Sequence, residues 1–149
     1  MSDGLDILII DDEQDVCDVL SGHIRKFYTW GEIITFTDVE KAVEYCQMRK
    51  GSIMLFILDV FVGSSNGFYL LDAISDKYPN AYHDAIMITG SANEDVVDMC
   101  VASGVSHLLE KPVRPYALQL AVRSIVSKYL KFAKMLLSNP NFAETIERI

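Results

Sequence analysis

Three carboxylates, a hydroxyl and an amine could carry chemistry in this chain: Asp11 with Asp12, Asp59, Thr89 and Lys111. Each stands where a short apolar run ends. Singly, each has a bland role. The Asp pair can cap a helix, Asp59 can start a loop, Thr89 can fill space as a β-branched residue, and Lys111 can be a solvated amine. Together they would behave differently. Two carboxylates at ~4 Å repel by about 4 kcal/mol at an effective dielectric of 20, and one lysine does not offset three of them. Either a carboxylate takes up a proton or a divalent cation binds. Oxygen donors with room for waters suit Mg²⁺, which keeps part of its hydration shell and partners phosphate oxygens. A lysine charge and a hydroxyl donor then suit a phosphoryl group on or near Asp59, and a carboxylate can accept one covalently.

The flanking elements decide whether these residues meet. Leu5 to Ile10 reads as a first strand ending at Asp11-Asp12-Glu13, whose acidic residues suit the start of a helix with Val16, Leu20, Ile24 and Phe27 inward. Glu32 to Phe36 reads as a second strand. Asp38 can cap the next helix, with Val39, Ala42, Val43 and Cys46 on one face. Ile53 to Leu58 is an unbroken apolar run, as expected of a strand buried on both faces, and it leads into Asp59. Gly63 through Gly67 reads as a loop. A helix follows with Leu70, Leu71 and Ile74 inward. Ala85 to Ile88 is the fourth strand and closes on Thr89. Ser91 or Asn93 can cap a helix whose stripe is Val96, Val97, Cys100 and Val101, with Gly104 as its stop. Val105 to Leu109 is the fifth strand, before Glu110-Lys111-Pro112, and Pro115 fits a helical first turn. Strands alternating with helices demand a parallel sheet with right-handed crossovers, a doubly wound α/β fold. Such sheets put their chemistry at the carboxyl ends of the strands, where every candidate here falls.

The chain of 149 residues is half apolar and 23% charged, enough for one domain with a sizeable core. A net charge of -8 disfavours a nucleic-acid backbone as partner of this domain. Cys17, Cys46 and Cys100 are odd in number and scattered, as expected of buried apolar filler in a reducing compartment. There is no signal peptide and no run of 18 apolar residues, so the expected location is the cytoplasm, without membrane contact. The last helix is long. Leu118, Val122, Ile125, Tyr129, Phe132 or Ala133, and Leu136 keep one stripe to Leu137. That length is roughly 34 Å, against about 17 Å for a five-residue strand. Its last turns should project, to pair with another chain or to lead into an effector domain, before a break at Ser138-Asn139-Pro140-Asn141 and a restart over Phe142 to Ile149. The domain division read here is 1–127 for the α/β unit and 128–149 for a helical extension.

Over residues 5 to about 127 the sequence resembles the receiver domain of bacterial two-component response regulators. The resemblance rests on Asp11-Asp12, on Asp59 with Gly67 eight residues on, on Thr89-Gly90 and on Lys111-Pro112. The intervals of 30 residues from Asp59 to Thr89 and 22 from Thr89 to Lys111 are those of the family. It implies a five-stranded flavodoxin-like sheet of order 2-1-3-4-5. It also implies that Asp59 accepts a phosphoryl group from a sensor histidine kinase or a phosphotransfer protein. Asp12, Asp59 and the backbone carbonyl of Phe61 would bind Mg²⁺, with Asp11 holding a water of the ion's shell. Lys111 would pair with phosphoryl oxygens. Thr89 would move to bond the phosphoryl group and reshape the surface of the fourth strand, fourth helix, fifth strand and fifth helix. A homodimer through that last face or through the C-terminal helix would be one output.

Three positions depart from the family pattern. Leu108 stands where an aromatic residue usually swings inward, with His107 beside it, read as a strand-end surface residue in preference to a substitute switch. Gly63 replaces a frequent proline and should loosen its loop. Phe61 puts a ring two residues after the acceptor. Two other readings compete: a receiver-shaped interaction module independent of phosphorylation, and a phospho-aspartyl phosphatase. The phosphatase would need its general acid at the position of Phe61, which has no proton to donate. A Rossmann nucleotide site is excluded, because Asp-Asp-Glu after the first strand would repel a pyrophosphate and no GxGxxG is present. The Phe61 ring is expected to shield an acyl phosphate from water. Phe61→Asn should therefore shorten the half-life of phosphorylated protein; an unchanged decay curve would count against shielding.

Overall fold

The computed structural model describes residues 4–138 and 141. Five strands form one parallel sheet: β1 (Ile7–Ile10), β2 (Ile33–Phe36), β3 (Leu55–Asp59), β6 (Ala85–Thr89) and β7 (His107–Glu110). Two short strands, β4 (Phe61–Val62) and β5 (Ser65–Asn66), form a hairpin between β3 and the third helix. The helices are α1 (Gln14–Arg25), α2 (Val39–Met48), α3 (Gly67–Ile74), α4 (Glu94–Ser103) and α5 (Pro115–Ser138). The main sheet runs β2-β1-β3-β6-β7, which is the expected 2-1-3-4-5 once the hairpin strands are set aside.

Side chains alternate across a strand with a period of two, and here both faces are apolar. Leu8, Ile10, Phe56, Leu58 and Met87 point into a core with α2, α3 and α4 residues such as Ala42, Leu70 and Val96. Ile7, Ile9, Leu55, Ile57, Ile86 and Ile88 point into the opposite core, with Leu20 and Ile24 of α1 and Leu118 and Val122 of α5. Each fully buried aliphatic side chain contributes roughly 1.5–3 kcal/mol relative to exposure, so β1, β3 and β6 hold the layers together. Leu8 pairs with both Ile34 and Phe56, and Asp59 with Ile88. This register brings the strand ends to one edge. The three cysteines are buried and unbridged, as expected.

Helix signals read from the sequence act as anticipated. Asp38 accepts from the Glu40 and Lys41 N–H groups, and Asn93 accepts from the Val96 N–H. Gly104 ends α4 with φ at +89°, a conformation that a residue with a Cβ adopts at a cost. Three readings need correction. The stretch after Asp59 is a hairpin and not an open loop, because Phe61-Val62 pairs with Ser65-Asn66. In α4 only Val96 and Cys100 are buried, while Val97 is 46% and Val101 75% exposed. Those two lie about 100° further round the helix, past the edge of the contact. In α1 the buried stripe includes Cys17 and Ser21, with Val16 only at its margin, and Phe27 lies beyond the end of the helix, partly buried against the same core.

At 24 residues α5 is about 36 Å long. Its packed part ends near Asp84, just before β6 at the edge opposite Asp59. Asp84 is 1% exposed; it accepts from Lys128 Nζ at 2.5 Å and from the Tyr129 hydroxyl. Beyond that point Leu130, Phe132, Met135 and Leu137 are exposed, so the last turns leave the core as expected. Of the break expected at Ser138 to Asn141, the two described residues, Ser138 and Asn141, are both helical; the rest of it, and the restart over Phe142 to Ile149, lie outside the described residues. Among the described residues no helix is long and apolar enough to cross a membrane. Tyr129→Phe should lower stability by about 1–3 kcal/mol in urea melts, the cost of leaving a buried carboxylate oxygen short of a donor. A change below about 0.3 kcal/mol would mean that Lys128 alone satisfies Asp84.

Candidate functional site

The carboxyl ends of β1, β3, β6 and β7 bring together the residues that the sequence singled out. Asp11 leaves β1 and is 1% exposed. Its Oδ1 accepts from the Glu13 N–H at 2.9 Å, which satisfies an N–H at the start of α1, and its Oδ2 accepts from Lys111 Nζ at 2.7 Å. Asp59 closes β3 and is 6% exposed. Its Oδ1 accepts from the Phe61 N–H at 3.2 Å and its Oδ2 from Lys111 Nζ at 2.8 Å. Asp12 is exposed, and its Oδ2 accepts from the Gly63 N–H at 3.3 Å. One carboxylate oxygen from each of Asp11, Asp12 and Asp59 lies within 4.8 Å of the others.

Lys111 is held by its backbone as well as by its charge. Its N–H donates to the Thr89 carbonyl at 2.8 Å, which ties β7 to β6 where both reach the site. Thr89 is fully buried, and its Oγ1 accepts from the Ser91 N–H at 3.1 Å. A hydroxyl that accepts still has its own proton to donate. Glu110, beside Lys111, accepts from the Ala92 N–H at 3.2 Å and fastens the loop between β6 and α4. Gly67 has a steric reason to be glycine. A Cβ there would lie 2.7 Å from the Asp59 carbonyl and 2.9 Å from Leu58 Cβ, so α3 starts tight against the end of β3.

Burial pushes the Asp59 carboxyl above its ordinary value; the Lys111 hydrogen bond opposes this, and Asp11 adds to it. Burial pulls Lys111 down, but its hydrogen bonds to Asp11 and Asp59 and their charges outweigh that and push it up, so it stays an ammonium. One cation is thus shared by two buried carboxylates with a third close by. The donor set is hard oxygen with partial access through Asp12, which fits Mg²⁺ in chemistry and in count.

Of the departing positions, Leu108 is half-buried against the core that contains Cys100 and Val96, with no ring to turn. His107 is the first residue of β7 and half-buried; burial and nearby Lys128 push it below its ordinary value. Phe61 is 59% exposed, so its ring lies largely in solvent while its N–H holds Asp59. The Gly63 contact to Asp12 went unread in the sequence. Its signal was there: two residues, Gly63-Ser64, between short pairing segments is the spacing of a tight hairpin.

The direction of the Asp59 shift has a consequence for stability. A carboxyl that holds its proton more tightly when folded favours the fold below its unfolded pKa, and that contribution is lost as pH rises through the folded pKa. As pH rises past the ordinary carboxyl value, the cost of ionising Asp59 in the folded chain therefore weighs against the fold. Asp59→Asn should raise the urea midpoint of metal-free protein at pH 7, and the gain should shrink as pH falls toward about 4. A less stable Asn variant at pH 7 would show that the Lys111 ion pair outweighs burial.

Comparison with known proteins agrees with this geometry. The response regulator receiver domain family matches residues 7–123. The regulatory protein VanR of Enterococcus faecium is 28% identical over 142 residues, covering 91% of this chain and 55% of that protein. The transcriptional regulatory protein CitT of Halalkalibacterium halodurans is 26% identical over 122 residues, covering 82% and 52%. The chain thus spans about half the length of these relatives. Among solved structures, a CheY-like receiver domain protein from Methanospirillum hungatei superposes with a TM-score of 0.71 at 20% identity, covering 85% of this chain and 97% of that one. Chemotaxis protein CheY4 of Vibrio cholerae gives 0.70 at 20% identity, covering 82% and 98%. Identity at that level speaks for the fold, and the family match carries the assignment: this chain belongs to the response regulator receiver domain family.

Proposed function

We propose that this domain is a phosphoacceptor switch in which Asp59 takes a phosphoryl group from a phosphohistidine of a sensor kinase or phosphotransfer protein. The observation that carries the reading is the shared ammonium: Lys111 Nζ bonds Asp59 at 2.8 Å and Asp11 at 2.7 Å inside a cluster of three carboxylates. A carboxylate oxygen of Asp59 would attack phosphorus, and the P–N bond would break with its electron pair returning to the imidazole. The product is an acyl phosphate on Asp59. Lys111 already reaches the acceptor, so it can turn its ammonium to the phosphoryl oxygens. Thr89 can donate its hydroxyl proton to another of them.

Asp12, Asp59 and the Phe61 carbonyl are the proposed Mg²⁺ ligands, with Asp11 next to them. Bound there, Mg²⁺ would offset charge on the carboxylates and the phosphoryl oxygens. The hairpin supports this assignment, since β4 and β5 fix Phe61 directly beyond Asp59.

The output would be a changed protein-binding surface, with phosphorylation biasing a two-state equilibrium. Exposed Val97 and Val101 of α4 and Tyr116 and Leu120 of α5 support the α4-β7-α5 face as a contact for a second copy. Exposed Leu130, Phe132, Met135 and Leu137 support the distal helix as another. Residues 1–127 are the proposed switch and 128–149 the segment that links or dimerises it, in the cytoplasm and without contact to nucleic acid or membrane. Its chemistry would be confined to its own phosphorylation and dephosphorylation. Half-buried Leu108 favours a second reading, a phosphorylation-independent interaction module, because the customary aromatic rotor is missing.

Acetyl phosphate and intact mass separate these readings. Wild type with Mg²⁺ should gain one phosphoryl group, while chelator or Asp59→Asn should abolish the gain. No gain in folded protein would favour the interaction module, and steady turnover of p-nitrophenyl phosphate would favour the phosphatase.

A further inference from the structure

The hairpin after Asp59 is tied to both flanks of the site. The Phe61 N–H donates to Asp59 Oδ1 at 3.2 Å, and the Gly63 N–H, 51 residues from its acceptor, donates to Asp12 Oδ2 at 3.3 Å. The strap is anchored at both ends. At its start the Val60 N–H donates to the Ile88 carbonyl at 2.8 Å; at its end the Gly67 N–H donates to the Val60 carbonyl at 3.2 Å. Val60 and Val62 are buried in the core, and the Asn66 side chain caps α3. Gly63 has φ at +58°, and among the described residues none other than glycine has a positive φ, so Ser64 does not. With Val62 paired to Ser65, that is the φ pattern of a type II′ hairpin, which wants glycine at its first central position.

We propose that the Gly63 backbone amide is a positioning donor that presets Asp12 for the cation, so that Gly63 is a functional element of this site and not a loosened loop. This rests on the Mg²⁺ reading given above. Asp11 and Asp59 are buried and shared by Lys111, so their carboxylates are already fixed. Asp12 is exposed and would otherwise be free to choose among rotamers. A hydrogen bond from a rigid hairpin holds its Oδ2 and leaves Oδ1 for the ion. The proline that receivers often carry at this position has no N–H to donate and cannot adopt φ near +58°. The contact therefore sets this chain apart from that pattern. Outer donors to ligating carboxylates commonly change metal affinity by about tenfold or more when lost.

The test is calorimetric titration with MgCl₂ on the whole chain, for wild type, Gly63→Pro and Gly63→Asn, with metal-free melting of each. Asparagine keeps the N–H and tolerates positive φ. Gly63→Pro should bind Mg²⁺ about tenfold more weakly, and Gly63→Asn within about twofold of wild type. Wild-type affinity in the proline variant, or equal weakening in both, would overturn the proposal. A proline variant that does not fold leaves a second measurement on the other proteins. The Gly63 amide proton should lie downfield and resist exchange in wild type, and Asp12→Ala should remove both features; an amide indifferent to Asp12 would overturn the assignment. Absence of Mg²⁺ heat in wild type would instead overturn the cation reading, and this proposal with it.

Discussion

One ammonium group shared between two buried carboxylates organises the carboxyl edge of this sheet. Asp11 and Asp59 are nearly inaccessible to water, and two carboxylates that close would ordinarily exclude each other as anions. Lys111 bonds both and so makes their coexistence possible. For that contact to exist, β1, β3 and β7 must end at the same level, and Lys111 must be braced by the Thr89 carbonyl. The parallel register of the sheet is therefore a condition of this cluster as well as of the fold.

The sheet can hold that register because it is apolar on both faces. A one-residue slip of β3 would exchange Phe56 and Leu58 for Leu55 and Ile57 between two cores of different shape. The strand that carries Asp59 is thus locked by packing on either side, and a carboxylate at its tip inherits that rigidity. The same two-sided packing explains the polarity of the molecule. One edge gathers Asp11, Asp12, Asp59, Thr89 and Lys111, while the opposite edge ties α5 to the sheet through Asp84, Lys128 and Tyr129. The last turns of α5 leave the domain from that second edge, so the carboxylate cluster and the projecting end are separated by the length of the strands.

Membership of the receiver family, in which a phosphorylation switch is general, accounts for the sheet order. The positions that depart from the family pattern give this chain its own character. Leu108 removes an aromatic side chain from β7, while Glu110 and Thr89 hold the adjoining loop through the N–H groups of Ala92 and Ser91. Gly63 exchanges a stiff residue without an N–H for a tight turn that offers one to Asp12.

Much of this was legible in the residues themselves. The parallel α/β alternation, the edge at which the candidates meet, the caps at Asp38 and Asn93 and the overlong α5 all follow from local patterns, apolar runs, helical spacing and turn residues, while the strand order came only from the resemblance to the receiver family. Local patterns suffice there because period and capping are properties of neighbours in the chain. Tertiary structure decided the rest. Val97 and Val101 are as apolar as Val96, and only the position of α4 against the sheet leaves them in solvent. Asp84 carries no local signal, because its partners Lys128 and Tyr129 lie more than 40 residues on. Gly63 read as slack because the hairpin spacing marks only the turn, and its partner Asp12 lies 51 residues away, where no local pattern reaches. Which apolar residue is covered, and which carboxylate meets which donor, depends on distances between remote segments, and those exist only once the chain has folded.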